Sequence, residues 1–359
     1  MHKKITLINC AVLALLANMS VSTVVNAAPL QPGGFSFGLW GDMPYAKNGD
    51  GTKTGIGSDK MTRLVNSINA ANVAFTIFDG DTKDGSSICT DAALGQESID
   101  LFNSLAKPVV YIPGDNEWTD CHRINNGGYN GLERLNYLRT TMFDTEYSFG
   151  QKKMKLHRQG VPGQLYSENS RWTRGNIVFL GLNIPGSNNN KVNAGECISS
   201  KSVRTQVECD ADNAEYAARD AANIAFMQES FQYARDNLAA GVMIVMQADP
   251  VFDLPETETY NERTNVGTPV TTLPTHDGYD AFLAALVTET KNFSGQVVLV
   301  HGDTHFYKVD KPLMTQADLV KNFTRVETFG SPNVHWIKVI VKPNDPNVFV
   351  FEPMIVPGN

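Results

Sequence analysis

The sequence of 359 residues lacks an excess of positive charge, a basic stripe and any pair of cysteines spaced as CxxC. Its formal net charge is -8 at pH 7. Because proteins bind nucleic acids by neutralising phosphates with Lys and Arg, this acidic balance disfavours a nucleic-acid partner. The missing CxxC spacing disfavours a zinc site built from cysteine pairs.

A long apolar run is missing as well. The most apolar stretch begins at Ile5, and asparagine and serine residues interrupt it before it reaches the roughly 20 apolar residues of a membrane span. Lys3 and Lys4 precede this stretch and small residues end it, which is typical of a secretory signal peptide. We therefore predict a signal peptide over residues 1–27, cleaved after Ala27, and a secreted or periplasmic protein with no membrane span after its removal.

Five apolar stretches of the chain run straight into an aspartate. Near-continuous apolar runs separated by helical segments predict buried parallel strands, and the crevice beyond the carboxyl ends of such strands holds the ligand in open α/β sheets. Five carboxylates that face one crevice repel each other unless cations neutralise them, so the pattern predicts a polynuclear metal site. The aspartates are Asp42, Asp81, Asp115, Asp249 and Asp303.

Other segments complete the predicted secondary structure. Apolar residues at helical spacing lie between the strands, and Gly241 is expected to end the third of these helices. Residues 165–182 and 323–356 alternate like half-buried antiparallel strands, which predicts a second sheet packed on the first. Loops near residues 46–58 and 184–211 are rich in Gly, Asn and Ser and follow strands, so we expect them to overhang the crevice.

The cysteines and the domain organisation follow from the same pattern. No linker or repeat divides residues 28–359, so we predict a single domain. Four cysteines remain in it, and an even number in an oxidising compartment predicts disulfides. The first two follow neighbouring strands at the same end and the last two close a short insertion. We therefore expect the pairs Cys89 with Cys121 and Cys197 with Cys209.

The order and spacing of the aspartates resemble the signature of the calcineurin-like metallophosphoesterases. Five blocks match over nearly the whole of residues 28–359, and five in order are far more specific than any one alone. The resemblance implies an α/β fold, a four-layer α-β-β-α sandwich of two mixed sheets flanked by helices. The blocks are 41–45 (GDMPY), 80–81 (GD), 114–117 (GDNE), 246–250 (MQADP) and 302–305 (GDTH), the last preceded by His301.

The resemblance also implies two divalent metal ions that share Asp81. One metal also takes Asp42 and His305. Four carboxylates face the metals instead of the two formal negative charges usual in the family, so oxygen outnumbers nitrogen. Such a site favours manganese, magnesium or calcium, with iron and zinc as alternatives. The positions of the second metal are Asp115, Gln247 and Asp303, with Asp249 as an alternative to Gln247.

Two positions depart from the family pattern. Pro44 replaces the histidine of the first block, and the neighbouring Tyr45 is a candidate for contacting phosphate or metal. Asn116 replaces the histidine that contacts substrate and protonates the leaving group, and an amide cannot be a general acid at neutral pH. His122 and His301 are candidate replacements for that acid, although a single histidine in such a position is more often structural.

Two cations complete the predicted site. Lys83 and Arg123 lie just beyond strand ends and are candidates for binding phosphate oxygens, or for neutralising a neighbouring aspartate such as Asp79 or Asp120. The resemblance implies hydrolysis of a small phosphate mono- or diester by a metal-activated water. The alternative is a family member with weakened catalysis that binds a phosphorylated ligand or surface partner in a metal-dependent way.

Overall fold

The computed structural model of this chain describes residues 33–45, 55, 57–250, 277–313 and 320–359. The predicted signal peptide and most of the predicted loop at 46–58 lie outside the described residues. Within the described ranges, twelve strands are present. They are β1 (Phe35–Trp40), β2 (Thr76–Phe78), β3 (Val109–Tyr111), β4 (His157–Arg158), β5 (Ser170–Arg174), β6 (Ile177–Gly181), β7 (Gly241–Val245), β8 (Gln296–His301), β9 (Lys308–Asp310), β10 (Phe323–Glu327), β11 (Trp336–Val341) and β12 (Phe349–Met354).

The strands form two mixed sheets. The first has the order β12-β11-β1-β2-β3, in which β1, β2 and β3 are parallel and β11 and β12 are antiparallel to their neighbours. The second has the order β4-β5-β6-β7-β8-β10-β9, with parallel pairing from β6 to β10. The predicted second sheet is present, but the alternating segments do not form it by themselves. Residues 165–182 and the start of 323–356 contribute β5, β6 and β10 to the seven-stranded sheet, whereas the rest of 323–356 contributes β11 and β12 to the five-stranded sheet.

Helices cover the outer face of each sheet. The long helix α5 begins with a capping box between Thr205 and Glu208 and ends at Asp236. Gly241 does not end this helix as predicted, because it is the first residue of β7. The helices are α1 (Asp59–Ala70), α2 (Ser98–Asn103), α3 (Gly131–Met142), the single turn α4 (Gly186–Asn189), α5 (Gln206–Asp236) and α6 (Asp280–Lys291), with shorter 3-10 turns at Thr119–His122, Ile124–Asn126 and Asp277–Tyr279 and a π turn at Ala92–Glu97.

Alternation along the strands divides the apolar side chains between three buried clusters. One cluster lies between the two sheets, where the Phe37 ring packs on Phe75 at 4.9 Å and on Phe179 at 5.3 Å between centroids. A second joins α1, α2 and α3 to the five-stranded sheet, and a third joins α5 and α6 to the seven-stranded sheet. These layers confirm the predicted α-β-β-α sandwich.

Two disulfides tie the loops of the sandwich. Cys89 is bonded to Cys121 and Cys197 to Cys209, as the sequence predicted. The first links the segment after β2 to the 3-10 turn after β3, and the second fixes the start of α5 to the preceding loop. Among helices in the described ranges, none combines the length and apolarity needed to cross a membrane.

Candidate active site

Four aspartates converge beyond the carboxyl ends of the strands, and with His305 they form what we call the aspartate crevice. Asp42, Asp81 and Asp115 follow β1, β2 and β3 of one sheet, whereas Asp303 follows β8 of the other. All four carboxylates are buried or nearly so. Because the two sheets face each other, strand ends that belong to different sheets meet at one edge of the sandwich.

The backbone of the crevice is unusual. Asp42, Asp81, Asp303 and His305 all have positive φ, between 49° and 72°. This left-handed region is unfavourable for residues with a Cβ, so the surrounding structure must hold it in place. The resulting turns bring side chains of different strands together. Such outliers cluster at functional sites and support a functional role for these four positions.

Close approach between the loops depends on glycine at two positions. A Cβ added to Gly302 would lie 1.9 Å from Oδ2 of Asp42. One added to Gly186 would lie 2.7 Å from Oδ2 of Asp115 and 2.9 Å from Oδ1 of Asp303. The carboxylates of Asp115 and Asp303 therefore meet at the same small space beside Gly186.

Neutral side chains donate hydrogen bonds to Asp81, at the centre of the crevice. The Tyr45 hydroxyl lies 2.9 Å from Oδ2 of Asp81, and Nδ2 of Asn116 lies 2.6 Å from the same oxygen. The backbone N–H of Asn116 donates to Oδ1 at 3.1 Å. Burial, then the charge of Asp115, raises the pKa of Asp81 well above its usual range. The pKa of Asp303 is raised for the same two reasons.

His305 is oriented for ligation at Nε2. Its Nδ1 lies 2.7 Å from the carbonyl oxygen of Ser331, which only accepts, so Nδ1 carries a hydrogen. Nε2 then faces Oδ1 of Asp42 at 3.4 Å. Burial lowers the pKa of His305. The charge of Asp42 and the hydrogen bond to Asp42 outweigh the effect of burial, so the pKa of His305 rises to about 9. Four carboxylates and one imidazole form a donor set that fits divalent cations.

Gln247 lies in the crevice, whereas the alternative Asp249 has its carboxylate 3.1 Å from Oγ1 of Thr304 and donates to Asp303 through its backbone N–H, at 3.3 Å. Nε2 of Gln247 is 3.4 Å from both Asp81 and Asp115, while its Oε1 accepts from the backbone of Gly186 at 2.5 Å. In this orientation the amide donates to the carboxylates and its oxygen accepts from Gly186. The role of Gln247 at the second metal stays a prediction.

The predicted replacements for the missing acid lie away from the crevice carboxylates. Nδ1 of His122 lies 2.8 Å from Oγ of Ser202. Burial, then the charges of Arg204 and Arg123, lowers the pKa of His122 to about 3, so its ring is neutral and has no imidazolium proton to give. His301 is fully buried at the end of β8, and no described contact joins it to the crevice carboxylates.

The two predicted phosphate-binding cations differ in exposure. The side chain of Lys83 is buried, with Nζ donating to the carbonyl of Asp84 at 3.1 Å. Its charge acts on Glu117, Asp81 and Asp120, which agrees with the predicted alternative of neutralising neighbouring acids. Arg123 is 40% exposed and forms an ion pair with Asp120 at 2.6 Å. It also donates to Oγ of Ser187, which in turn lies 2.9 Å from Oδ2 of Asp115. Arg123 therefore lies at the rim of the crevice.

Sequence reasoning missed two supports of the site. Glu117 accepts from the backbone of Gly114 and Asp81, at 2.7 and 3.2 Å, and so holds the loops after β2 and β3 together. The position of Glu117 at the end of the GDNE block was the signal in the sequence for this role. Ser187 lies in α4, where residues 187–189 have left-handed dihedral angles. The run of three asparagines at 188–190 was a signal for this turn, since Asn tolerates that region.

Comparison with known proteins bears on the fold. No protein-family model and no curated protein matches the chain. Among solved structures, PhoD is similar with a TM-score of 0.52 at 12% identity, over 93% of this chain and 69% of PhoD. The sulfate thiohydrolase SoxB of Thermus thermophilus has a TM-score of 0.40 at 10% identity, over 83% of this chain and 42% of SoxB. A 5'-nucleotidase from Candida albicans has a TM-score of 0.34 at 12% identity, over 91% of this chain and 52% of the nucleotidase.

The similarity to PhoD extends over most of both chains, and it places this chain in the same fold. The resemblance predicted from the five sequence blocks is thus confirmed at the level of the fold.

Proposed function

We propose that the chain is a metal-dependent phosphoesterase that hydrolyses a small phosphate mono- or diester. The observation that carries this proposal is the convergence of four carboxylates, three of them buried and that of Asp303 partly buried, with His305 at one edge of the sandwich. Repulsion among buried carboxylates is unfavourable without cations. The fold shared with PhoD supports the same conclusion.

The donor atoms divide naturally between two divalent ions. Asp42 and His305, 3.4 Å apart, would hold one, and Asp115 and Asp303, which meet beside Gly186, would hold the other. Asp81 lies between the two groups and would contact both. Bound metals of this kind supply Lewis acidity and a nucleophilic water at neutral pH. Manganese, magnesium and calcium suit the oxygen-rich donor set best, with iron and zinc as alternatives.

Side chains around the metals would bind and orient the substrate. Burial, then the charges of Asp81 and Asp42, raises the pKa of Tyr45 well above 10, so its phenol keeps its proton and can donate to a phosphoryl oxygen. Asn116 offers a neutral amide donor beside it, 3.3 Å from the Tyr45 hydroxyl. Arg123 is the exposed cation at the rim and is suited to a second phosphate oxygen.

A cavity beside Tyr45 is suited to the leaving group. It has a volume of about 830 Å³. Its lining is mainly apolar and includes Met61, Pro332 and Val334. Pockets of this size accommodate small organic ligands. The alcohol portion of a phosphate ester would fit there while its phosphate contacts the crevice.

A metal-dependent binding protein is the second candidate. The observation in its favour is Asn116, since its amide cannot protonate a leaving group and is held by Asp81 at 2.6 Å. Neither His122 nor His301 contacts the crevice carboxylates to replace it. Such a protein would bind a phosphorylated ligand without turning it over. We also propose export of either form, because the two disulfides suit an oxidising compartment.

Hydrolysis assays after metal exchange test the proposal. The protein would be stripped with chelator and reloaded with manganese, magnesium, calcium, zinc or iron, then assayed with an aryl phosphate and its diester. We expect turnover with at least one metal and none with chelator. An aryl phosphate has a good leaving group that needs no acid, so turnover of neither compound, together with metal-dependent binding of the monoester, would favour the binding protein.

A further inference from the structure

A second cluster of metal-ligating side chains lies beside the aspartate crevice and takes no part in the function proposed above. Asp249 follows β7, His301 ends β8 and Glu327 ends β10, and these strands are neighbours in the seven-stranded sheet. All three residues are buried. A ring nitrogen of His301 and one oxygen of each acid lie within 4.8 Å of one another. We call these residues the inner cluster.

The backbone sets the tautomer of His301. Its Nδ1 lies 3.0 Å from the carbonyl oxygen of Gly302, which only accepts, so Nδ1 carries a hydrogen. In the neutral ring, Nε2 therefore has a lone pair. Nε2 is buried and has no hydrogen-bond partner among the described residues. An unpartnered buried nitrogen is costly, and histidines that bind metals commonly donate their other N–H to a carbonyl in this way.

The two carboxylates converge on one hydroxyl. Oγ1 of Thr304 lies 3.1 Å from Oδ2 of Asp249 and 2.6 Å from Oε1 of Glu327. A hydroxyl has one hydrogen and cannot donate fully to two ionised acids. The backbone N–H of Phe306 also donates to Oε1 of Glu327 at 2.7 Å. Arg325 of β10 forms two hydrogen bonds with Asp310, and its charge also acts on Asp249 and Glu327. None of these contacts reaches Nε2 of His301. A proton on Glu327 would satisfy Thr304, but it would leave Nε2 of His301 without a partner.

We propose that Asp249, His301 and Glu327 bind one divalent cation, in a site separate from the aspartate crevice. One imidazole nitrogen and two carboxylate oxygens form a donor set that zinc accepts. The ligands come from the ends of three neighbouring strands. The cation therefore ties β7, β8 and β10 together immediately before the loop that carries Asp303 and His305, and its role is structural.

Zinc binding in an Asp81→Ala background tests the inner cluster by itself, because that substitution disables the crevice. After equilibrium dialysis against Zn²⁺ and removal of loosely bound metal, elemental analysis should find about one equivalent in Asp81→Ala. Adding Glu327→Gln or His301→Gln should remove it. Glutamine at 327 keeps the shape and an acceptor oxygen, so the fold should survive. Zinc should raise the melting temperature of Asp81→Ala and leave both double variants unchanged.

The matched control is Asp81→Ala with His335→Gln. His335 is a histidine outside the inner cluster that accepts from the backbone of Val356 at 3.3 Å, so this variant should keep its equivalent of zinc. No bound zinc in Asp81→Ala, or undiminished zinc in folded double variants, would overturn the inference. If instead the aspartate crevice binds no metal, the parent protein and Asp81→Ala would both hold a single equivalent of zinc.

Discussion

The aspartate crevice and the inner cluster differ in what compensates their charges. In the crevice, hydroxyl and amide groups of Tyr45, Asn116 and Gln247 reach Asp81. In the inner cluster, two acids converge on one hydroxyl and Nε2 of His301 has no described partner. Hydrogen bonds thus partly stabilise the crevice carboxylates without cations, which suits metals that exchange. In the inner cluster no hydrogen bond from the described residues reaches Nε2 of His301, which suits a permanently bound ion.

The largest expected effect comes from the residue between the two proposed crevice metals. Asp81→Ala should lower phosphoesterase activity by about 10³-fold or more and lower the affinity of both metal sites, because each site loses the ligand they share. Asp303→Ala should lower the affinity of mainly one site. Both variants should fold, since the carboxylates lie at strand ends and not between the sheets. Activity measured against metal concentration separates the two variants. Equal loss in both would contradict a shared ligand at Asp81.

Removing either disulfide should destabilise the fold, but only one should affect the crevice. Sγ of Cys89 and of Cys121 lie 3.6 and 3.7 Å from the carbonyl oxygen of Asn116, whereas Cys197 and Cys209 lie in the loop before α5 and in α5 itself. Each loss should cost about 3–4 kcal/mol of unfolding free energy. Replacing Cys89 and Cys121 by serine should also weaken metal binding.

The matched control is the Cys197→Ser, Cys209→Ser variant, which should bind metal like the parent. Denaturant melts and metal titrations of the two double variants check this contrast. Equal metal affinity in both would mean that the loop carrying Asn116 does not depend on its disulfide.

The stability of the metal-free protein should fall as pH rises. The pKa of His305 is raised to about 9, so protonation of its ring stabilises the folded state. This contribution to the unfolding free energy is complete below pH 6.5 and disappears as pH rises through 9. It is on the order of 3 kcal/mol. Asp81 and Asp303, whose pKa values are also raised, act in the same direction because they ionise at a cost as pH increases.

Metal should reverse this trend, because ligands must lose their protons before they bind a cation. Thermal melts between pH 5 and about 9.5, with chelator and with manganese, check both directions. A metal-free melting temperature that stays level or rises over this range would contradict the assigned environment of His305.

The smallest effect is expected at Tyr45. Tyr45→Phe removes a hydrogen bond to the Asp81 carboxylate, and bonds to charged groups contribute about 1.5–3 kcal/mol. Activity should fall by roughly 10- to 100-fold, because the phenol no longer donates to Asp81 or to the substrate. Steady-state kinetics with an aryl phosphate measure the loss. Unchanged kinetics would show that the phenol contacts neither the substrate nor a carboxylate that matters.

Local features made the crevice predictable from the sequence. Each of its aspartates directly follows an apolar strand, so strand position alone brings Asp42, Asp81, Asp115 and Asp303 to one edge. Sheet membership was not predictable in the same way. β11 pairs with β1 across almost the whole chain, and no local pattern specifies such a distant partner.

Side-chain direction and distant clusters were harder still. Lys83 and His122 follow strand ends as predicted, yet one is buried against Asp84 and the other contacts Ser202, because position after a strand does not fix where a side chain points. The inner cluster draws Asp249 and Glu327 from strands far apart in sequence, with no motif between them. Only the fold brings these residues together.

Anomalous diffraction from crystals of the protein loaded with manganese would locate the metals of the aspartate crevice. We expect two peaks there, roughly 3.5–4 Å apart, with Asp81 in contact with both. Asp42 and His305 should bind one metal, and Asp115 and Asp303 the other. A crevice without a peak, or with a single peak that Asp81 does not contact, would exclude a two-metal site that shares Asp81.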